Sequence, residues 1–392
     1  MLRTVARGLL FQMNRDQCSY LFRSLTLLLL LSLVACGRRS PSPSEAPQTK
    51  VEGGSKFSKV TLKQTNEKGQ LLWKLEAQKV TYGEDISIAQ VQGLQGQLYE
   101  NGQPAFEITA EKGEIKQSGQ VISLKGQIVA TELKNKLVFK SAQLQWQPEL
   151  GLLQARSGIT VTHPSLQMWA QRLQASSRTQ QVRAQGKVVL ETRPTQFRLK
   201  TDQLVWQIDQ QFLTAGAGKT NATTPRVEIE QLQGSSKGSR AFAGSVRLNL
   251  KGQIATLQNP AQIKISSPPI ELTSQQLVWD IKRQVVSSKA LLEVRDQQQG
   301  IKVIANRGIF NQGRQIVQFN GQVQATGLRN GSRLNTDQLI WQLATQRIDA
   351  QGDVRYIQSD PPFRLQGPRA VGKIQAQTIQ ISGGNVVTEI IP

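Results

Sequence analysis

The chain is dominated by a repeat about 31 residues long. A small anchor residue recurs at this spacing, and an apolar residue follows it by five places in nearly every copy. The anchors are Ala77, Ala110, Ser141, Ala170, Thr201, Ala243, Ser274, Ala305 and Thr336. From the second copy on, Ala alternates with Ser or Thr, and only the Ser/Thr copies carry Trp, so the full unit is about 62 residues. Such a period predicts a stacked array of one supersecondary unit.

Within the Trp copies the apolar residues alternate with polar ones. Leu204, Trp206 and Ile208 lie at i, i+2 and i+4, which places them on one face of a strand. An apolar residue returns seven places after each Trp, beyond polar turn residues, which predicts a hairpin. A Gly sixteen places after several anchors, such as Gly126 and Gly352, predicts a bulge or sharp bend.

These patterns predict an all-β fold. We expect an elongated, twisted β-jelly roll or open β-sandwich array of repeats of about 31 residues, preceded by an N-terminal signal or anchor helix. For the 62-residue period we expect successive copies to lie on two opposed sheets, with Trp on one of them.

The N-terminus has the pattern of an exported lipoprotein. Residues 25–36 form a short apolar run after Arg23, and Leu33-Val34-Ala35-Cys36 matches a bacterial lipobox. This predicts a signal peptide at residues 1–35, acylation of Cys36 and a flexible Ser/Pro/Gly-rich tether at residues 36–56. An uncleaved anchor helix at residues 19–36 is the alternative. Either reading predicts that the bulk of the chain lies outside the cytoplasmic membrane and is anchored to a membrane.

The array divides into two predicted parts, residues 57–222 and residues 223–392. The division rests on one irregularity, because Thr201 and Ala243 are 42 residues apart instead of about 31. The excess falls on a Gly/Thr/Ser-rich stretch near residue 222. A continuous array with a surface loop is the alternative.

The residue types favour binding over catalysis. Lys and Arg outnumber Asp and Glu by 48 to 27, and the excess is spread along the chain, which indicates a solvated surface that meets something anionic. We expect no nucleic-acid partner, since no binding motif occurs. The single histidine, His163, is expected to be a solvated turn residue without metal-binding partners. We expect no catalytic residues, no metal, no cofactor and a structural role for Asp202 and Asp337.

Four segments, in this order, carry a family resemblance. They are Glu67–Ala77, Tyr99–Gly102, Ala110–Gly113 and Leu124–Ile128. Together they resemble LptC, the membrane-anchored periplasmic subunit of the lipopolysaccharide export machine, and the repeats are similar to those of OstA/LptA proteins. Family members usually keep a transmembrane helix where this chain has a lipobox, and they are about half as long.

The resemblance implies a non-enzymatic lipid carrier. A β-jelly-roll groove would take lipopolysaccharide from inner-membrane ABC transporter subunits and pass it to an LptA-like bridge protein that pairs edge to edge with it. The predicted groove lining consists of Leu144, Trp146, Leu204, Trp206, Ile208, Leu277, Trp279, Leu339 and Trp341. A structural or adhesive β-repeat lipoprotein with a sealed core is one alternative, and a polysaccharide-active enzyme on a β-scaffold is another.

Overall fold

The computed structural model describes residues 55–390, apart from residues 84, 86, 117–118, 194–195, 217–226, 233–237 and 360. The predicted signal or anchor segment, Cys36 and all but the last two residues of the predicted tether lie outside the described residues. Within that described part, no helix has the length and apolar character needed to cross a membrane. The predicted all-β fold is confirmed, since the described chain is built of strands that form one continuous array.

The strands follow one another along the chain with short turns between them. The first thirteen are β1 (Lys56–Thr65), β2 (Leu71–Tyr82), β3 (Ile88–Glu100), β4 (Gln103–Lys116), β5 (Ile122–Glu132), β6 (Leu137–Gln147), β7 (Leu152–Ala155), β8 (Ile159–His163), β9 (Leu166–Ala170), β10 (Arg172–Ser176), β11 (Gln181–Thr192), β12 (Phe197–Gln207) and β13 (Phe212–Ala215). A short 3₁₀ helix, Pro148–Leu150, lies between β6 and β7.

The remaining strands continue the same arrangement. They are β14 (Val227–Gln231), β15 (Arg240–Asn249), β16 (Ile254–Lys264), β17 (Ile270–Asp280), β18 (Val285–Ser288), β19 (Leu292–Asp296), β20 (Ile301–Ala305), β21 (Arg307–Asn311), β22 (Ile316–Gly327), β23 (Arg333–Gln342), β24 (Arg347–Ser359), β25 (Pro362–Lys373), β26 (Thr378–Ser382) and β27 (Val387–Ile390).

Each rung of the array crosses two layers. We use "rung" for a long strand, or for two short strands in line such as β7 and β8. The C-terminal half of β6 pairs with β7, whereas its N-terminal half pairs with β8. Following such pairings gives layer 1, which contains Trp146, and layer 2, which contains Phe106. The two layers face each other, because the rings of Phe106 and Trp146 are 5.3 Å apart between centroids.

Glycines mark the bends where rungs pass between layers. Gly126 and Gly352 have φ angles of 75° and 86°, and the register of their strands shifts beside them. The side chain of Glu111 lies where a Cβ on Gly126 would be, and Asp337 does the same at Gly352. The predicted bulges are therefore confirmed here. The position of Asp337 agrees with the structural role expected for it.

The Trp residues of the repeat all lie in layer 1. A cross-strand ladder runs through Trp146, Leu153, Ala175, Val182 and Trp206, so that Trp recurs on every fourth rung. The same spacing leads on to Trp279 and Trp341. Trp does belong to one sheet, but the expected alternation of copies between sheets is wrong. One copy supplies two rungs, and each rung crosses both layers, so every copy places its apolar residue in layer 1.

The hairpin turns of layer 1 are linked by a row of hydrogen bonds. Gln253 has a φ of 54°, and its carbonyl accepts the amide of Ile281 in the next turn at 3.0 Å. An amide of the next turn donates in the same way to the carbonyls of Gln180, Gln211, Gln284, Gln315 and Gln346. Pairing of β12 with β14 and of β13 with β15 continues the array on both sides of residues 217–226. The predicted boundary at residues 222 and 223 lies outside the described residues and stays a prediction.

Candidate functional site

The predicted groove-lining residues lie on the inner face of layer 1. Eight of the nine are at most 3% exposed: Leu144, Trp146, Leu204, Trp206, Leu277, Trp279, Leu339 and Trp341. Ile208 differs, because it is partly buried at the start of a turn. Along most of the array the two layers are packed together at these side chains. Their role as a lipid lining stays a prediction, since a ligand reaches them only where the layers separate.

We call the side of the array at which the rungs end the mouth. The bends join the layers on the other side, whereas the rungs end at the mouth in two rows of hairpin turns, one for each layer. In the N-terminal part three contacts close the mouth. The indole Nε1 of Trp73 donates to the carbonyl of Gly119 at 3.4 Å, and Asn135 Nδ2 donates to Gln180 Oε1 at 3.0 Å.

The third contact across the mouth is made by the single histidine. The His163 ring, on layer 2, meets the edge of Trp206, on layer 1, with centroids 5.4 Å apart. Its Nδ1 is 2.7 Å from the hydroxyl of Ser165. Burial lowers the pKa of His163, because the imidazolium form loses hydration there. The expectation of a solvated turn residue is therefore wrong, since His163 is half-buried and closes the mouth.

Three of the layer 1 tryptophans have an unused donor. The indole Nε1 atoms of Trp146, Trp206 and Trp341 are buried and have no hydrogen-bond acceptor among the described residues. A buried donor without an acceptor costs about 1–3 kcal/mol. Trp146 and Trp206 come close to the mouth, as the contacts of Trp206 with His163 and of Trp146 with the cleft beside Arg178 show. A polar acceptor that entered the mouth would offset that cost.

At the C-terminal end the interior opens into a cavity of about 350 Å³. Its floor is apolar and comes from both layers, and its rim is polar. The floor consists of Ile301, Leu334, Ile348, Ala350, Ala370 and Ile379, and the rim includes Arg329, Asn330, Ser332, Lys373 and Gln377. Volumes from about 300 Å³ upward are typical of small-molecule sites.

Small side chains on the inner face create this cavity. Ile348, the cross-strand partner of Trp341, faces Gly372 on its other side, and Gly372 faces Ile379. The equivalent ladder position holds Ala175 or a larger apolar residue in the earlier rungs, so glycine here leaves space unfilled. Sequence reasoning missed the site, although Gly372 lies 31 residues after Trp341, where the repeat places an apolar residue. Glycine at that position was the available signal.

The cavity suits an amphipathic anion. Arg329 and Lys373 at the rim form no ion pair with described residues, and Arg329 instead donates to the carbonyl of Gln298. Tyr356 also lines the cavity, and burial raises the pKa of its phenol, so it stays a neutral donor and acceptor. Among the described residues no cluster of His, Cys, Asp and Glu could hold a metal ion. An apolar floor with an unpaired cationic rim can hold an acyl chain below an anionic group.

The chain is similar over part of its length to a protein of known structure. A search of curated proteins finds no significant match. Among solved structures, the chain is similar to LptH, the LptA-homologous periplasmic component of the lipopolysaccharide transport device from Pseudomonas aeruginosa. The identity is 17%, the alignment covers 31% of this chain and 79% of that one, and the TM-score is 0.26.

The profile of the family described as "Lipopolysaccharide-assembly, LptC-related" matches residues 24–193 and 290–388. The first segment covers β1 to β11, with Trp73, Asn135 and His163, and the second covers the strands around the C-terminal cavity. Because together they span well over half of the sequence, the chain belongs to the LptC-related family of lipopolysaccharide-assembly proteins.

Proposed function

We propose that this protein is a non-enzymatic carrier that holds lipopolysaccharide by its acyl chains between the two layers. It receives the lipid from an inner-membrane ABC transporter and passes it to an LptA-like bridge in the periplasm. Family membership supports the general role. The observation that carries the proposal is the C-terminal cavity, where the apolar interior opens beneath two cations that have no acidic partner among the described residues.

Acyl chains gain free energy by entering this interior. Burial of apolar surface contributes about 25 cal/mol per Å², and the cavity floor offers six apolar side chains. Arg329 and Lys373 lie at the rim, within reach of a phosphate on a lipid whose acyl chains occupy the floor. One lipid molecule would then contact both the apolar floor and the cationic rim.

Movement along the array requires the mouth to open. Its closing contacts include single hydrogen bonds such as that between Asn135 and Gln180, each with a net contribution of about 0.5–1.5 kcal/mol. The unpaired indole donors of Trp146, Trp206 and Trp341 would then meet ester or amide carbonyls of the lipid. This supports the predicted lining of Leu144, Leu204, Leu277, Trp279 and Leu339 as well, which share the same inner face.

Both ends of the array offer strand edges to partner proteins. Among the described strands, β1 pairs only with β2, and β26 and β27 pair only with β25. Open edges recruit strands, so these ends are the proposed docking positions for the transporter and for the bridge. Anchoring through acylated Cys36, or through an uncleaved N-terminal helix, would hold the first strands at the periplasmic side of the inner membrane.

Site-specific photo-crosslinking during transport tests the proposal. A photoreactive residue at Ile379 reports on the cavity, one at Trp206 reports on the closed interior, and one at Gln380 reports on the outer face as a matched control. With labelled lipopolysaccharide and an energised transporter, we expect adducts at both Ile379 and Trp206, and none at Gln380. Absence of adducts at both interior positions while lipid reaches the bridge would overturn the carrier proposal.

A further inference from the structure

The outer face of layer 1 is strongly basic between β1 and β11. Side chains that alternate with the buried ladder point outward here, and eight of them are cations against one carboxylate, Glu114. A second carboxylate, Glu111, lies at the bend beside Gly126. The cations are Lys56, Lys79, Lys112, Lys116, Lys125, Arg156, Arg172 and Arg183, and all of them are exposed. We call this surface the basic face. Nine strands at a spacing of about 4.8 Å make it about 38 Å long.

The matching outer face of layer 2 is nearly balanced in charge. The same rungs place four cations there, Lys63, Lys74, Lys140 and Arg193, against three carboxylates, Glu76, Glu107 and Glu191. The positive charge is therefore concentrated on one face of the array.

The cations of the basic face are arranged at a cost to the fold. Lys112 and Lys125 are direct cross-strand partners, and like charges in such pairs are destabilising. Arg156 and Arg172 lie one residue beyond the paired Ala155 and Leu173, which sets them opposite each other. None of the eight cations forms an ion pair with a described residue. An external anion that neutralises them would relieve this repulsion.

The N-terminal tether decides which anionic partner is nearest. Under the proposed N-terminal anchoring, about 20 residues separate Cys36 from β1, and a chain of that length spans at most about 65 Å. The strands of the basic face are the first to follow the tether, so they stay within reach of the membrane that holds it. Anionic lipid headgroups at a membrane surface attract nearby Lys and Arg side chains by about 1 kcal/mol each.

We propose that the basic face docks on the anionic phospholipid headgroups of the anchoring membrane. The β1–β11 part of the array then lies with layer 1 toward the membrane and layer 2 toward the periplasm. Long Lys and Arg side chains let several strands of a twisted sheet contact the headgroups together. This docking rests on the proposed anchor, but not on lipid carriage through the interior.

Lysine footprinting on the full chain in vesicles tests the docking. Floated vesicles carrying the protein are treated with an acetylating reagent, and modification of each lysine is followed by mass spectrometry. On vesicles rich in phosphatidylglycerol, we expect Lys79, Lys112 and Lys125 to react at least about threefold more slowly than on phosphatidylcholine vesicles. Lys74 and Lys140 on layer 2 are internal controls and should react equally on both. In 1 M salt the protection should vanish, because the screening length falls to about 3 Å.

Matched charge variants complete the test. The double variant Lys112→Gln/Lys125→Gln should reduce the protection of Lys79, since each removed cation weakens docking about fivefold. Lys74→Gln/Lys140→Gln should leave it unchanged. Equal reactivity of Lys79, Lys112 and Lys125 on both vesicle types would overturn the proposal. So would protection seen only after an acidic partner protein is added, or equal protection of the two faces. Crosslinking of lipid at Ile379 is measured independently, so failure of docking and failure of carriage are distinguishable.

Discussion

The N-terminal rungs and the last rungs of this protein share one backbone plan but differ in their interiors. Around Trp206 the mouth is closed by His163, and the inner side chains are almost fully buried. Around Gly372 the same ladder position is nearly empty, and a cavity of about 350 Å³ results. The repeat therefore fixes the geometry of the layers, whereas the interior opens in the last rungs, where a glycine lies on the ladder and few rungs follow.

The largest expected effect is a difference in stability loss between a substitution in the closed interior and one at the cavity. Trp206→Ala in the closed part should lower the free energy of unfolding by about 3–5 kcal/mol, since it leaves a void among packed side chains. Ile379→Ala at the cavity should cost about 1 kcal/mol or less, because that side chain is partly exposed and borders empty space. Chemical denaturation followed by circular dichroism measures both. Equal losses would contradict the distinction between closed and open interiors.

A second pair of variants tests whether the backbone plan is the same in both regions. Gly126→Ala and Gly352→Ala each place a Cβ at a positive φ and against the side chain of the preceding rung. Each should destabilise the fold by about 1–2 kcal/mol, because an L-residue is strained in the left-handed region. The same denaturation measurement applies. A loss at only one of the two positions would show that the bends are not equivalent.

Filling the cavity should convert the open interior into a closed one. Ile348→Trp adds a second indole beside Trp341, in space that the cavity provides. We expect capture of labelled lipopolysaccharide to fall about tenfold, equivalent to about 1.4 kcal/mol. Ile340→Trp, on the exposed outer face of the neighbouring strand, is the control and should bind normally. Undiminished capture by Ile348→Trp would show that lipid enters elsewhere.

The smallest effect concerns pH and the closed mouth. Burial lowers the pKa of His163 in the folded protein, so the unfolded chain takes up the proton more readily. Stability should therefore fall as the pH drops below about 6.5, until the folded-state pKa is passed. His163→Gln should remove this part of the pH dependence, as measured by thermal unfolding between pH 5 and 8. An identical pH profile for both proteins would contradict the assignment to His163.

Much of the fold could be predicted because its signals are local. Alternation around Trp206 predicts a half-buried strand, and Gly126 predicts a bend, since both depend on a few neighbouring residues. The layer arrangement was predicted incorrectly, because a rung of about 15 residues crosses both layers, a fact that depends on pairings between distant strands. The cavity could have been predicted in part, because Gly372 lies 31 residues after Trp341 and replaces an apolar residue of the repeat. That this glycine lies between Ile348 and Ile379 depends on cross-strand pairing, which a local pattern does not give.

The row of glutamine turns implies a way for such proteins to change length. The glutamine carbonyl of each turn accepts a hydrogen bond from an amide of the next turn. The donor lies 28 residues after the acceptor in every pair except the one that spans residues 217–226. The turn of a duplicated repeat would donate its amide to the carbonyl of the turn before it, and its own carbonyl would accept the amide of the turn after it. Each added repeat would lengthen the array by two rungs, or about 9.6 Å. The length of the array can therefore change in evolution by the gain or loss of whole repeats, without redesign of its interior.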